Sequence, residues 1–505
     1  MAQDTEPQQK RQCWECFRRR LVCDFTRPCC KKCIKTGKDC PGYDEKKPLK
    51  WVEPGKVASK RRQRQNICKG DGGVCQEAAS TASSEVSRAD HTRLPVIVKD
   101  GNVEDFEVIF NPCFEMIDRT TDIVRAINYY NTHVYPELLV ITEFVPNPYI
   151  IHFPLEVLPY LPPSIHHTMA CFAISHRMNQ LRLVEDSNRI TTASNRILHH
   201  RGEAIRDLGE AIATPENQTS DFTLTSVLLL LTTEPQHGFK SPWRAHAHGL
   251  NRLIKLRGGF GSVFQSSIHL QPVLVLYMLF TVYSNSTSHS ADQLDIMSPL
   301  LLVPQVADMY KLVFPHVLCP QSLFLDLITI NNLRAQTMDP RFTSETSQST
   351  AEHLLAHLET FFPAKWVEEN TDNLQEVWKL IASIHQSSII IYCIMSLQSL
   401  SLLPINAQLE ATRSFHGFRL FECLQKARVS RFINKFIMWP VVVSGVEAVY
   451  RSPHVRHIVA KQLAALSQDL GTATPLQANV KLEAFWASGK FGWDDCFDGP
   501  YSFFI

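Results

Sequence analysis

The sequence predicts two unlike parts: a small module built around cysteines, and a large all-α domain of helical-bundle or solenoid form. Three observations carry this reading. Seven cysteines fall within 28 residues, from Cys13 to Cys40. From Phe106 onward apolar residues stay dense and recur at helical spacing. Between these regions lies a stretch rich in Lys, Arg, Ser, Gly and Ala, too poor in large apolar side chains to build a core. The expected boundaries are a polar disordered tail at 1–10, the cysteine module at 11–43, a basic then polar linker at 44–100, and the helical domain at 101–505.

At 505 residues, 44% hydrophobic and 20% charged, the chain can bury more than one core. Its net charge of +1 conceals an asymmetry. Between Lys10 and Arg64 there are 18 Lys/Arg against 6 Asp/Glu, a balance of +12, while residues 65–505 carry a net −9. A basic head on an acidic body calls for a polyanionic partner for the head. The N-terminus MAQDTEPQQKRQ lacks the apolar core of a secretory signal. The longest apolar stretch, 389–403, is interrupted by Ser and Gln, so a buried helix is expected there and no membrane partner. In the reducing compartment this implies, clustered cysteines favour metal over disulfides, and the sequons at Asn217 and Asn285 are chance matches.

The cysteines contain a short repeat. Cys13-x2-Cys16-x6-Cys23 is followed by Cys30-x2-Cys33-x6-Cys40, two halves of identical spacing. A C-x2-C turn sets two thiolates on one side of a helix start, within reach of one tetrahedral zinc. Six thiolates cannot fill two separate four-cysteine sites, but they can serve two zinc ions if two sulfurs bridge. The internal symmetry selects the first cysteine of each half, Cys13 and Cys30, as bridges. Cys29 breaks that symmetry and is the spare. So small a segment has no useful apolar core, so the metal is expected to supply the folding energy.

This spacing, the basic run between Cys16 and Cys23, Pro28 ahead of Cys30, and the Cys40-Pro41-Gly42-Tyr43 exit resemble the fungal Zn(2)-Cys(6) binuclear-cluster DNA-binding domain. The resemblance implies that Arg19 and Arg20 meet base edges, with a G/C-rich triplet of double-stranded DNA as half-site. Arg can bind guanine O6 and N7 together. Arg18, Lys31, Lys32, Lys35 and Lys38 suit phosphates, which position the module without specifying sequence. Phe17 and Val22 stand where the family often has basic residues, which bears on base preference and not on metal. Lys60, Arg61, Arg62 and Arg64 form a basic block that reads equally as a nuclear import signal or a phosphate-contacting arm. Leu49, Trp51, Val52 and Val57 sustain no heptad, so no zipper is expected.

In the large domain, Ile197, Ile205, Leu208 and Ile212 mark one helical face closed by Pro215. Leu224, Val227, Leu228 and Leu231 repeat the pattern. Leu250, Leu253 and Ile254 do so again, with Gly258-Gly259 as a C-cap. Trp243-Arg244-Ala245-His246 with Arg257-Gly258-Gly259, Trp439-Pro440 with Gly445 and Glu447, and the C-terminal FWASGKFGWDDCFDGPYSFFI resemble the fungal-specific transcription factor domain that often follows such a cluster. That resemblance implies an all-helical regulatory module receiving a metabolite or protein signal. It also implies contact with the transcription machinery in the nucleus, and control of a metabolic pathway or gene cluster.

Catalytic signatures are missing: no G-x-S-x-G elbow, H-E-x-x-H, P-loop or dinucleotide fingerprint, so no enzyme is expected. The pairs His166-His167 and His199-His200, and His246 with His248, read as packing or surface residues. The competing classes are a zinc-stabilised adaptor that binds protein without reading DNA, and an enzyme with an appended DNA-binding head. The tail around Trp493, Asp494, Asp495, Phe497 and Asp498 is read as a docked segment rather than an acidic activation segment, because Tyr501, Phe503, Phe504 and Ile505 need burial.

Overall fold

The structure, a computed structural model, describes residues 12–38, 40, 43, 119–144, 150, 152–181, 187–237, 243–294, 299–312, 318–337, 344–430 and 433–503. The chain divides between residues 98 and 99 into two units, with the described residues up to 43 in the first and those from 119 in the second. The tail 1–10, the linker 44–100 and the basic block Lys60, Arg61, Arg62 and Arg64 lie outside the described residues. Among the described residues every element is a helix and none is a strand.

The first unit holds two five-residue helices, α1 (Trp14–Arg18) and α2 (Lys31–Lys35). The second opens with α3 (Arg119–Tyr129), which runs through a π turn into α4 (Tyr135–Leu138). Then come α5 (Pro163–Leu181), α6 (Ser187–Ala213), α7 (Asp221–Thr233), α8 (Trp243–Leu256), α9 (Phe260–Ser266) and α10 (Gln271–Thr287). They are followed by α11 (Pro299–Leu312), α12 (Gln321–Gln336), α13 (Ser344–Glu359), α14 (Pro363–Asn370), α15 (Gln375–Ser399) and α16 (Ala407–Arg428). The last are α17 (Met438–Glu447), α18 (Pro453–Asp469), α19 (Thr474–Ser488) and α20 (Trp493–Cys496).

Local chemistry sets many of these bounds. Ser220 caps α7 by accepting from the Thr223 N–H at 3.2 Å. Proline in the first turn starts α14, α18 and α19. The α8 helix ends in a left-handed turn at Gly258 (φ 99°), with the Gly259 N–H returning to Ile254 O at 2.9 Å. On α6, Ile197 and Leu208 are buried, but Ile205 lies at the edge of the stripe and is 38% exposed. Ala193, His200 and Ala204 complete the inward face instead.

The centre of the domain is α15. It packs against α12, α13, α14, α16, α17 and α20, and its residues from Ile381 to Leu397 are buried on all sides. A helix apolar all round is a core helix. It is long and apolar enough to cross a membrane, yet nearly all of that stretch lies inside the domain.

Polar groups tie the motifs of the domain together. Arg334 is wholly buried and donates to the carbonyls of Asn285, Ser286 and Ser288 at 3.1–3.4 Å, to Tyr392 Oη at 3.0 Å, and to Asp494. It thereby adds partners for the carbonyls at and just past the C-terminal end of α10. Trp493 and Trp439 point their Nε1–H groups at the same place, onto Ser286 O (2.7 Å) and Ser286 Oγ (2.9 Å). The tail is therefore docked: Trp493, Phe497 and Phe503 are buried, and Thr287 Oγ1 exchanges hydrogen bonds with the Tyr501 backbone. Its acids are paired, Asp494 with Arg334, Asp495 with Lys490 and Asp498 with Lys481. Phe504 and Ile505 lie outside the described residues.

Gly445 of the second motif and Gly417 on α16 mark close approaches. A Cβ at Gly445 would lie 2.4 Å from Leu482 Cδ1 on α19. One at Gly417 would lie 2.4 Å from the carboxyl carbon of Glu447. That carboxylate is buried and held by Arg413 (3.1 Å) and Arg451 (2.8 Å).

Candidate metal centre and nucleic-acid interface

The two cysteine halves fold alike. Cys13 caps α1, its Sγ accepting from the Cys16 N–H at 3.4 Å, and Cys30 caps α2, accepting from the Cys33 N–H at 3.3 Å. Both caps have extended backbone. Both helices end in the same left-handed turn. In the first, Arg20 N–H returns to Phe17 O (3.2 Å) and Leu21 N–H to Cys16 O (3.0 Å). In the second, Gly37 N–H returns to Ile34 O (3.1 Å) and Lys38 N–H to Cys33 O (3.0 Å). The pivots are Arg20 at φ 54° and Gly37 at φ 59°. A Schellman end normally takes glycine, and a side chain there carries a cost of about 1–2 kcal/mol.

This folding gathers the thiols into two groups of four. One is Cys13, Cys16, Cys23 and Cys30, the other Cys13, Cys30, Cys33 and Cys40, with ligand atoms in each group within 4.8 Å of one another. Cys13 and Cys30 belong to both, and Cys29 to neither. The sulfur separations are 3.6 Å for Cys13–Cys30, 3.8 Å for Cys13–Cys33 and 3.6 Å for Cys16–Cys30. Four sulfurs about 2.3 Å from a central tetrahedral zinc would be spaced by about 3.8 Å, so the donor set fits that ion in chemistry and in size.

Crowding and burial work against ionising these thiols on their own. Burial pushes Cys13 and Cys16 up, and pushes Cys33 up to about 12. Cys23 is the exception. Burial raises it, but backbone hydrogen bonds from Cys13 and Phe25 and the Tyr43 hydroxyl outweigh that and hold it at about 7. Tyr43 lies 3.6 Å from Cys23 Sγ, donates to Thr26 O at 2.9 Å, and carries the Arg27 guanidinium over its ring. Asp24 ties the halves together by accepting from the Lys31 N–H at 2.9 Å, at the positive end of α2. Neither role is visible in the sequence. The Asp24 contact spans seven residues of loop, which no local pattern encodes.

Arg19, Arg20, Lys31, Lys32 and Lys35 are all exposed, as a phosphate- or base-contacting set must be. Arg19 reaches across to Thr36 Oγ1 at 3.4 Å, which links the end of α1 to the end of α2. The Arg18 side chain lies outside the described part of the structure.

Elsewhere, one member of each histidine pair meets the other across α5 and α6. His167 Nδ1 and His200 Nδ1 are 2.9 Å apart, both buried, with Asp122 Oδ2 3.5 Å from His200 Nε2. His166 bonds Leu158 O, and His199 is exposed. His246 lies 3.5 Å from the buried Glu234. An open groove of about 510 Å³ lies along α13–α16, lined by Glu359, Phe362, Gln386, Phe415, His416 and Arg419 among others. Burial and the Arg419 charge push its histidine, His416, down to about 4. Cys171, Cys319, Cys393 and Cys496 are buried singly. Cys68, Cys75 and Cys113 lie outside the described residues.

Residues 125–504 match the family described as the fungal specific transcription factor domain. Over 502 residues the chain is 30% identical to the phomenoic acid biosynthesis cluster-specific transcriptional regulator of Leptosphaeria maculans, a match covering 98% of this chain and 89% of that protein. No solved structure matches.

Proposed function

The chain belongs to the family built on the fungal specific transcription factor domain and is a transcription regulator; from that premise we propose that it is a nuclear, zinc-dependent protein that binds duplex DNA sequence-specifically and controls RNA polymerase II genes of a biosynthetic cluster. One observation carries the DNA-binding part of this reading. Two four-thiol groups share Cys13 and Cys30 inside a segment of +12 charge, and beside them Arg19, Arg20 and Arg27 stand in solvent. The named relative supports the biosynthetic-cluster part.

In this reading Cys13, Cys16, Cys23, Cys30, Cys33 and Cys40 hold two zinc ions, and Cys13 and Cys30 bridge them. The ions supply the charge that lets crowded, buried thiols ionise, and binding them releases protons and fixes the fold. Tyr43 and Asp24 hold the thiolate cage in shape. Arg19 and Arg20 read the edges of a G/C-rich triplet, and Arg18, Lys31, Lys32 and Lys35 meet phosphates. The Lys60–Arg64 block serves nuclear import or adds phosphate contacts. The helical domain, residues 101–505, is regulatory rather than enzymatic and passes an effector signal to the transcription machinery.

The test is duplex binding by the full chain as a function of salt. A steep negative slope of log affinity against log salt, with loss of sequence preference in an Arg19→Ala/Arg20→Ala variant that keeps its zinc, is the expected result. Unchanged binding in that variant would refute the base-reading assignment. A zinc-loaded chain that binds no duplex would favour the protein-binding adaptor.

A further inference from the structure

A module this small has little apolar surface to spare, yet it leaves two large apolar side chains in solvent at matching places. Phe17 and Ile34 each follow the second cysteine of their half, and each is 65% exposed. Their surroundings differ. Ile34 sits among Lys31, Lys32 and Lys35, whereas Phe17 directly precedes Arg18, Arg19 and Arg20. Val22, 73% exposed, closes the far end of that arginine run, while Leu21 beside it packs against the cysteines. Trp14 braces Phe17 from one helical turn back, ring edge to ring face, with centroids 6.1 Å apart at 84°. The brace limits the places the Phe17 ring can occupy and lowers the entropy lost when it docks.

A partner for this ring must suit the charge around it, which is that of a polyanion-binding surface. In the DNA major groove the one apolar group a base pair offers is the thymine 5-methyl, and phenylalanine is among the side chains that meet it. We propose that Phe17 reads a thymine 5-methyl beside the triplet met by Arg19 and Arg20. The preferred site then contains a T·A pair at a fixed step from that triplet. Ile34, held among phosphate-contacting lysines, has no such role. The proposal rests on the DNA-reading function proposed above. Removing one methyl from water against an aromatic ring is worth about fourfold in affinity.

The experiment uses the full, zinc-loaded chain. A preferred duplex is selected from a pool with random flanks, and each flanking thymine is then exchanged for deoxyuridine, which keeps base pairing and removes only the methyl. One such exchange is expected to weaken the wild type and Ile34→Ala about fourfold. It should leave Phe17→Ala unmoved, and Phe17→Ala should bind the thymine duplex as weakly as the wild type binds the uracil one. Selection of no flanking thymine, equal binding of both duplexes by the wild type, or discrimination retained in Phe17→Ala would each overturn the proposal. The wild-type comparison can refute the proposal even if the Phe17→Ala variant folds poorly, and Phe17→Leu then tests the ring itself, with discrimination expected to weaken. A chain that binds no duplex at low salt refutes the DNA-reading function itself, a different outcome from binding without methyl discrimination.

Discussion

Replacing Arg20 by glycine separates two quantities that the structure sets against each other. Arg20 turns the end of α1 at φ 54°, and its counterpart Gly37 makes the same turn at φ 59° with open space around its α-carbon. A side chain in that conformation costs about 1–2 kcal/mol. Glycine brings back about 0.5–1 kcal/mol of unfolded-chain entropy, so Arg20→Gly should stabilise the module by about 0.5–1 kcal/mol. Because folding and metal binding are coupled, this appears as about two- to fivefold tighter zinc retention. The lost guanidinium should cost about 1–3 kcal/mol of base discrimination, a five- to 150-fold effect. The assays are chelator competition for zinc on the full chain and anisotropy of a labelled duplex at saturating zinc. Arg20→Gly should therefore hold metal better and bind DNA worse. Easier loss of zinc would refute the strain argument, and unchanged DNA affinity would remove Arg20 from the reading surface.

Other consequences lie in the helical domain. Arg334→Met strands the partly buried Asp494 carboxylate and the Ser288 carbonyl just past α10, and should cost about 3–5 kcal/mol in urea unfolding. Gly417→Ala drives a methyl into Glu447 and Arg451 and should cost about 1–3 kcal/mol. Gly202→Ala, on a helix with nothing within 4 Å, should be neutral or stabilising, a contrast that thermal melts can read. Burial holds His176 and His416 neutral, pushing both down from 6.5 to about 4. The unfolded chain therefore takes up protons first, and stability should fall as pH drops from 6.5 towards 4, by about 3 kcal/mol per histidine. Gln at either position should remove its share of that slope in pH-dependent melts.

The cysteine module was legible because its information is local. Two C-x2-C-x6-C repeats fix which thiols can converge, and their symmetry distinguishes Cys29 from Cys30. Helical spacing, the Gly258 cap and the burial demand of the tail aromatics were legible for the same reason. Contacts between distant parts of the chain were not. Nothing near Arg334 in sequence announces Asp494, 160 residues away. The His167–His200 contact needs the packing of α5 on α6, although each histidine was visible within an adjacent pair. Gly417 carries no signal by itself, since its purpose is to leave room for Glu447. Periodicity alone points Ile205 inward, but the inward face takes Ala204 and His200 instead.

The most direct test is a zinc titration of the metal-free full chain in the presence of a labelled, selected duplex. Anisotropy should rise only as metal is added and level off at two zinc per chain, for the wild type and for Cys29→Ser alike. Arg19→Ala/Arg20→Ala should take up the same metal with the preference for the selected duplex gone. Saturation at one zinc per chain, or duplex binding that needs no zinc, would contradict the account.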